Sequence, residues 1–197
     1  MMGLLETKKN WIFDMDGTLT LAMHDFDAIK LALGLPMDSD ILTSIGRLAP
    51  EEAKTKHIHL NEIELNIAKK ATASPGTPKL LKQIKGKSHQ LGILTRNCFA
   101  NSIETLKASG LGEYFSSEFI LCREHAEPKP SPNGILNLLN LWDAKPEDTL
   151  MIGDYLYDLE AGISAGVETV YIDPKGIFPF KNLATHMVRR LDEILYL

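Results

Sequence analysis

Trp11-Ile12-Phe13-Asp14-Met15-Asp16-Gly17-Thr18-Leu19-Thr20 is the stretch that decides the fold of this chain. An apolar run leads straight into two carboxylates two residues apart, then into a glycine-centred turn. Successive side chains of a strand point to opposite faces, so residues i and i+2 share one face. With extended geometry held to Asp16, both carboxylates look into one space at the strand's end. Like charges held together raise each other's cost of ionisation, a cation lowers it, and unequal surroundings give two carboxyls different tasks. Aspartate also serves turns and helix caps, which is the ordinary reading of an isolated Asp-x-Asp. The longer string Asp-x-Asp-Gly-Thr, set behind an apolar strand, is rare by composition and points to function.

The 197 residues suffice for one compact domain with a real core, or a domain plus a small insertion. With 44% hydrophobic and 24% charged residues, the chain has the composition of a soluble globular protein. A formal net charge of -5 speaks against a large basic face and so against nucleic acid as a partner. It leaves room for a local basic pocket that holds a phosphorylated small molecule. Cys98 and Cys122 lack metal-ligand spacing and suggest unpaired thiols in a reducing compartment. No stretch approaches the ~20 apolar residues of a membrane span. The first ten residues also lack the apolar core and cleavage site of a signal peptide. A cytoplasmic protein with no membrane partner is expected.

Four apolar runs, at residues 11–13, 91–94, 150–152 and 169–172, end in polar or glycine punctuation, and segments of helical periodicity separate them. Buried strands alternating with helices predict an α/β fold, a Rossmann-like, doubly wound parallel sheet covered on both faces. Residues 119–121 and 186–188 are weaker strand candidates. Thr77-Pro78 reads as an N-cap followed by proline at the first helical position, opening a helix that stops before Gly86. Further helices are expected over 101–109, from Pro132 with its apolar stripe Ile135, Leu138, Leu139 and Trp142, and over 159–165 up to Gly166. Residues 21–74 differ: helices are expected over 25–33, 39–47 and 51–72, with no strand signal. The chain therefore divides into a core, residues 1–20 and 75–197, and a small all-helical insertion, residues 21–74.

The first strand ends in Asp14 and Asp16, the second in Thr95 and the third in Gly153-Asp154. Ligands of open parallel sheets bind outside the carboxyl ends of the strands, so one edge collects these groups. Asp158 lies four residues beyond Asp154, close enough to share a face if the turn runs into a helix. Capping a helix that begins at Leu159 is an equally good use for it. Lys129 sits in Glu127-Pro128-Lys129-Pro130, where proline on both sides restricts the backbone and holds the ammonium in a defined place. An arbitrary lysine is a solvated charge; this one is a candidate for the site.

Taken in order, Asp14-Met15-Asp16-Gly17-Thr18, Thr95, Lys129, and Gly153-Asp154 with Asp158 resemble the four motifs of the haloacid dehalogenase-like phosphohydrolases. The resemblance implies a phosphatase that works through an aspartyl-phosphate. Asp14 would be the nucleophile and Asp16 the general acid and base. Thr95 would hydrogen-bond the phosphoryl oxygens, with Gly17 and Asn97 as further substrate contacts, and Lys129 would neutralise charge on nucleophile and phosphate. Asp14, the backbone carbonyl of Asp16, and Asp154 would hold Mg2+, with Asp158 supporting them. This chemistry suits the ion, which prefers a few carboxylates, substrate phosphate oxygens and retained waters to a full protein cage. Family members that cleave carbon–halogen bonds lack aspartate at the position of Asp16, so its presence favours phosphoryl transfer.

Asp14 and Thr95 are 81 positions apart, Thr95 and Lys129 only 34. That pattern resembles the phosphoglycolate phosphatase and beta-phosphoglucomutase groups of the family, which carry a helical cap after the first motif. Such a cap closes over the site and suits a small phosphorylated metabolite, such as phosphoglycolate or a sugar phosphate. A phosphomutase shares every motif residue and is the enzymatic alternative; a non-catalytic regulator that keeps the fold is the other. Leu21, Ala22 and Arg96 depart from the common family pattern on the substrate side. His24 and Arg47 are the candidates for cap-side substrate contacts, the latter because a guanidinium fork suits a carboxylate or second phosphate. Their ordinary reading is a hydrogen-bonded histidine and a solvated arginine.

Overall fold

The computed structural model describes residues 3–197. Its strands are β1 (Asn10–Phe13), β2 (Gln90–Leu94), β3 (Ile120–Leu121), β4 (Thr149–Gly153), β5 (Glu168–Ile172) and β6 (His186–Val188). They form one sheet in the order β3-β2-β1-β4-β5-β6, every neighbouring pair parallel. Phe13 sits opposite Ile93 on one side and Ile152 on the other. Strands covered on both faces need apolar side chains on both, which is why these segments read as continuous apolar runs. From β1 the chain first builds outward through β2 and β3, then crosses back to add β4 to β6. The strand order thus reverses between β1 and β4, opening a crevice at their carboxyl ends.

The helices are α1 (Leu4–Thr7), α2 (Phe26–Leu33), α3 (Ile41–Gly46), α4 (Pro50–Ala68), α5 (Thr77–Gly86), α6 (Phe99–Ala108), α7 (Asn133–Leu141) and α8 (Leu156–Ala165). Trp11, Phe13 and Met15 pack on one side of the sheet with Leu80, Leu81 and Ile84 of α5, Leu106 of α6, and Ile194 of the final 3-10 turn. Ile12 and Met151 pack on the other side with Ile135 and Leu138 of α7 and Ala161 and Ala165 of α8. The alternation carries past the end of β1 as far as Met15, so Asp14 leaves the sheet on the opposite side from Phe13 and Met15. Gly92 is needed within β2 because a Cβ there would meet the Trp142 ring at 2.7 Å.

Helices α2 to α4 enclose a separate apolar cluster of Ile29, Leu33, Leu35, Ile41, Ile45 and Leu60. The segment leaves and rejoins the sheet at adjacent points, where Leu21 N–H donates to Thr72 (3.0 Å) and Ser74 N–H to Leu19 (2.9 Å).

Several element ends differ from the sequence expectation. Gly76, at φ 89°, takes the N-cap position of α5, and the Thr77 hydroxyl instead donates to the Leu19 carbonyl at 3.1 Å. That bond ties the helix to the turn after β1, and α5 runs through Gly86 rather than stopping before it. Helix α4 ends at Ala68, short of residue 72, and α3 starts at Ile41 because the Asp40 carboxylate caps it through Thr43 N–H (3.0 Å). Phe119 belongs to a 3-10 turn, leaving β3 two residues long. Both cysteines are buried and unpaired.

Candidate active site

At the carboxyl end of β1, Asp14 N–H donates to the Ile152 carbonyl (2.8 Å), which fixes its backbone against β4. Its carboxylate accepts from the Lys129 ammonium at 2.5 Å, and the same ammonium donates to Asp158 at 2.6 Å. Lys129 is only 3% exposed, so two carboxylates and no solvent define its place. Helix α8 begins at Leu156, three residues earlier than the sequence suggests. Asp158 therefore lies inside its first turn and does not cap a helix starting at Leu159. One of its oxygens receives Lys129, while the other accepts the Tyr155 N–H at 3.0 Å.

Asp154 follows β4 and faces the turn after β1, where it accepts from the Thr18 hydroxyl (3.0 Å). A Cβ on Gly17, at φ 93°, would lie 2.5 Å from an Asp154 oxygen, so only glycine lets the two strand ends close together. Oxygens of Asp14, Asp154 and Asp158 all lie within 4.8 Å of one another. Thr95 and Asn97 are buried beyond β2, with Asn97 N–H donating to the Thr95 hydroxyl (3.1 Å). The Asn97 amide reaches Asp16 at 3.4 Å, and His24 Nδ1 lies 3.8 Å from the other Asp16 oxygen.

The charges of this floor do not balance. Burial, then the negative charges of Asp14 and Asp158, push the Asp154 carboxyl up to about 8. Burial pushes Asp158 up to about 6 against the pull of Lys129. Asp14 is raised by burial despite the same lysine, and Asp16 is raised by burial despite His24 and Asn97. Burial alone would lower the Lys129 pKa, but Asp14 and Asp158 outweigh it and hold the ammonium charged. Three carboxylates against one ammonium leave a negative excess, and an oxygen-ligand divalent cation is the group that relieves it.

Above the floor lies a cavity of about 490 Å³ whose upper wall comes from residues of α2 to α4 and the loops between them. Arg96 donates to Asp40 (2.7 Å) and lies 4.9 Å from the centre of the Tyr157 ring. Arg123 forms a fork on Glu64 of α4 (2.9 and 3.3 Å), bonds Asn61, and donates to the Arg96 carbonyl (3.2 Å). The sequence reading passed over Arg123, Glu64 and Asp40. Arg123 lies just past β3 on the edge that also carries Thr95, a signal the short, weak strand concealed.

A family model described as haloacid dehalogenase-like hydrolase matches residues 24–172. The chain is a haloacid dehalogenase-like hydrolase. An uncharacterized hydrolase of Saccharomyces cerevisiae is 31% identical to it over 193 residues, covering 94% of this chain and 88% of the yeast protein. The pyrophosphatase PpaX of Halalkalibacterium halodurans is 28% identical, with 82% of this chain and 81% of that protein aligned. Among solved structures, CbbY of Rhodobacter sphaeroides in complex with xylulose-1,5-bisphosphate superposes with a TM-score of 0.74 at 21% identity, covering 94% of this chain and 96% of that one. The order of motifs that suggested the family thus belongs to a chain whose membership rests on most of its length.

In this hydrolase Asp14, Asp16, His24, Thr95, Asn97, Lys129, Asp154 and Asp158 line one cavity, as their positions in sequence led us to expect. Gly17 is not among the lining residues; it lies behind Asp154, where a Cβ would collide with that carboxylate. Arg47 does not join them. It follows α3 and lines a separate hollow with Glu52 and Lys56. The six residues of α3 place ~9 Å between its two ends, and Asp40 at the other end is the one turned to the site. The substrate contact expected of Arg47 is therefore withdrawn.

Proposed function

We propose that this hydrolase is a Mg2+-dependent phosphatase that cleaves a small phosphomonoester through an aspartyl-phosphate. The observation that carries the reading is the Asp14 carboxylate, held by Lys129 beside two further carboxylates at the switch point of the sheet. Asp14 and Asp154 fit the metal best, because both oxygens of Asp158 already serve Lys129 and Tyr155. Asp158 then supports the site from behind, and the Asp16 backbone carbonyl is the further ligand we assign. A bound divalent cation supplies charge neutralisation for the phosphoryl oxygens and for the crowded carboxylates.

In the first step an Asp14 oxygen attacks phosphorus, and the bond from phosphorus to the leaving oxygen breaks. Asp16, whose carboxyl burial pushes above the ordinary carboxylate range, gives its proton to that oxygen. In the second step Asp16 takes a proton from water, the water attacks the aspartyl-phosphate, and Asp14 is regenerated. The Thr95 hydroxyl and the Asn97 amide hydrogen-bond the phosphoryl oxygens, while Gly17, whose N–H is held by the Thr20 carbonyl (2.9 Å), serves the site by letting the turn pack against Asp154. Lys129 holds Asp14 in line and offsets charge in the transition state. His24 stacks on Phe26 and faces Asp16, which suits it to tune that carboxyl rather than to bind phosphate.

Residues 21–74 act as the cap, with their own apolar cluster and paired exits. The phosphorylated ligand of CbbY and the pyrophosphatase relative support a phosphorylated small molecule as partner. The test is phosphate release from p-nitrophenyl phosphate. It should vanish with chelator, return with Mg2+, and return poorly with Ca2+, whose larger shell spoils the attack geometry. Full activity without metal would overturn the mechanism. Asp16→Asn should slow alkyl phosphates far more than aryl ones, because alkoxide leaving groups need the proton more. Equal losses would remove Asp16 as the acid. Free phosphate rather than isomerised phosphosugar separates the hydrolase from a mutase.

A further inference from the structure

The cations around the upper part of the cavity are already paired. Arg96 is paired with Asp40 at 2.7 Å, and Arg123 with Glu64 at 2.9 Å. Lys30 donates to the Met37 carbonyl (2.9 Å) and lies 3.8 Å from Asp27. Among the described residues lining this cavity, each of these cations already faces a carboxylate, so a second anionic group on the substrate would meet positive charge that is already offset. Taking Arg96 or Arg123 from its partner would leave a carboxylate unpaired at the cavity wall, at a cost that opposes the exchange.

The cavity also displays apolar surface that nothing in the chain covers. Phe26 is 59% exposed, Met37 52% and Tyr155 50%, and all three border the cavity. Phe26 stacks on His24 at 5.7 Å, and Tyr155 meets Tyr157 edge-on at 5.1 Å, so both rings are oriented, not loose. Large apolar side chains left exposed around a polar floor mark where a ligand's apolar part rests. About 490 Å³ is also far more room than a phosphate with a two-carbon leaving group needs.

Accepting the phosphatase reading above, on which this rests, we infer that the substrate is the phosphomonoester of an uncharged alcohol bearing a planar ring. The phosphate lies on the carboxylate and lysine floor, and the ring lies between Phe26 and Tyr155. Phosphoglycolate, pyrophosphate and sugar bisphosphates, whose leaving groups carry a second anion, are disfavoured by the occupied arginines.

The test compares kcat/KM with Mg2+ across adenosine 5′-monophosphate, riboflavin 5′-phosphate, glycerol 3-phosphate, phosphoglycolate and pyrophosphate. At least one ring-bearing substrate should exceed each of the other three by tenfold or more. Phe26→Ala and Tyr155→Ala should each lower the ratio of the better ring-bearing substrate to glycerol 3-phosphate by about tenfold. Both side chains are half-exposed or more, and a thermal melt confirms that the variants fold. Phosphoglycolate or pyrophosphate turning over best would overturn the inference alone, as would a ratio unmoved in both variants. No turnover of any phosphoester, p-nitrophenyl phosphate included, would overturn the phosphatase reading and this one with it.

Discussion

Below the cavity, Asp14, Lys129 and Asp158 come from the end of β1, the loop before α7 and the first turn of α8, each less than a tenth exposed. Above it, Asp40 and Glu64 come from a helical segment with its own apolar cluster, and each meets one arginine of the sheet side. The lower wall concentrates like charge in a rigid frame, and the upper wall cancels charge pair by pair. The carboxylates below are thus held at a cost that a cation would offset, whereas the pairs above carry no such excess. The upper pairs hold two parts of the chain together, beside the exposed side chains of Phe26 and Met37.

The contrast is broken most directly at Asp14. Asp14→Asn should lower kcat for phosphate release by ~10⁴-fold or more, because an amide is a poor nucleophile and carries no charge for a metal. Phosphate release that survives the change within tenfold would place the reaction elsewhere. Lys129→Met tests the frame itself. It removes the ammonium that faces Asp14 and Asp158 and leaves carboxylates without a partner, so denaturant unfolding should register a loss of ~3–5 kcal/mol. A loss below ~1 kcal/mol would mean that the carboxylates simply take up protons and that the lysine matters only for chemistry.

The upper wall should respond less. Arg123→Ala leaves Glu64 unpaired where both side chains are about a tenth exposed, and should cost ~2–3 kcal/mol. A double-mutant cycle with Glu64→Ala should recover a coupling of ~1 kcal/mol or more. Additive losses would show that the two residues act separately. Arg123→Lys should fall between wild type and Ala, since it keeps charge but loses the fork that grips Glu64 and Asn61.

The sign of the pH response distinguishes the two walls as well. The Asp154 carboxyl is pushed up to about 8 from an ordinary 3.8, burial first and the Asp14 and Asp158 charges next. Between those values the folded metal-free chain keeps a proton that the unfolded chain has lost. Unfolding then releases a proton, so stability falls as pH rises, by at most ~1.4 kcal/mol per unit, and levels off above 8. From pH 7 to 8, ordinary carboxylates are ionised in both states, so the slope comes from the buried carboxyls of the floor, Asp154 among them. The metal-free Tm should fall over this window, Asp154→Asn should flatten the fall, and saturating Mg2+ should remove it. A rising Tm would mean that Asp154 is already ionised.

Legibility in the sequence followed distance along the chain. Asp14 and Asp16 are two residues apart, and Asp154 and Asp158 four, so local periodicity alone brings each pair to one edge. The four apolar runs gave the sheet, because strands buried on both faces cannot be polar. The upper pairs join residues 56 and 59 positions apart, Arg96 with Asp40 and Arg123 with Glu64, and neither has a local signature. For Asp158 the sequence left capping and a place in the site open: α8 starts one turn early, so the residue bonds a backbone N–H and Lys129 at once. Arg47 was misjudged wholly, because a sequence gives the length of α3 but not which of its ends faces the sheet.

Arg47 also gives the smallest predicted effect and the sharpest control. It is exposed, follows the last turn of α3, and makes no side-chain hydrogen bond or ion pair among the described residues. The hollow it lines is separate from the cavity that holds Asp14, and Asp40, at the far end of the same helix, makes the contact with Arg96. Arg47→Ala should therefore change stability by no more than ~0.5 kcal/mol and leave kcat/KM unchanged for both aryl and alkyl phosphates. Asp40→Ala is the matched partner at the other end. It removes the cap of α3 and frees Arg96, so it should cost ~1 kcal/mol and raise kcat/KM for phosphoglycolate relative to glycerol 3-phosphate. If Arg47→Ala produced that shift in place of Asp40→Ala, helix α3 would have to present its other end to the substrate, and the pairing of the upper wall would have to be redrawn.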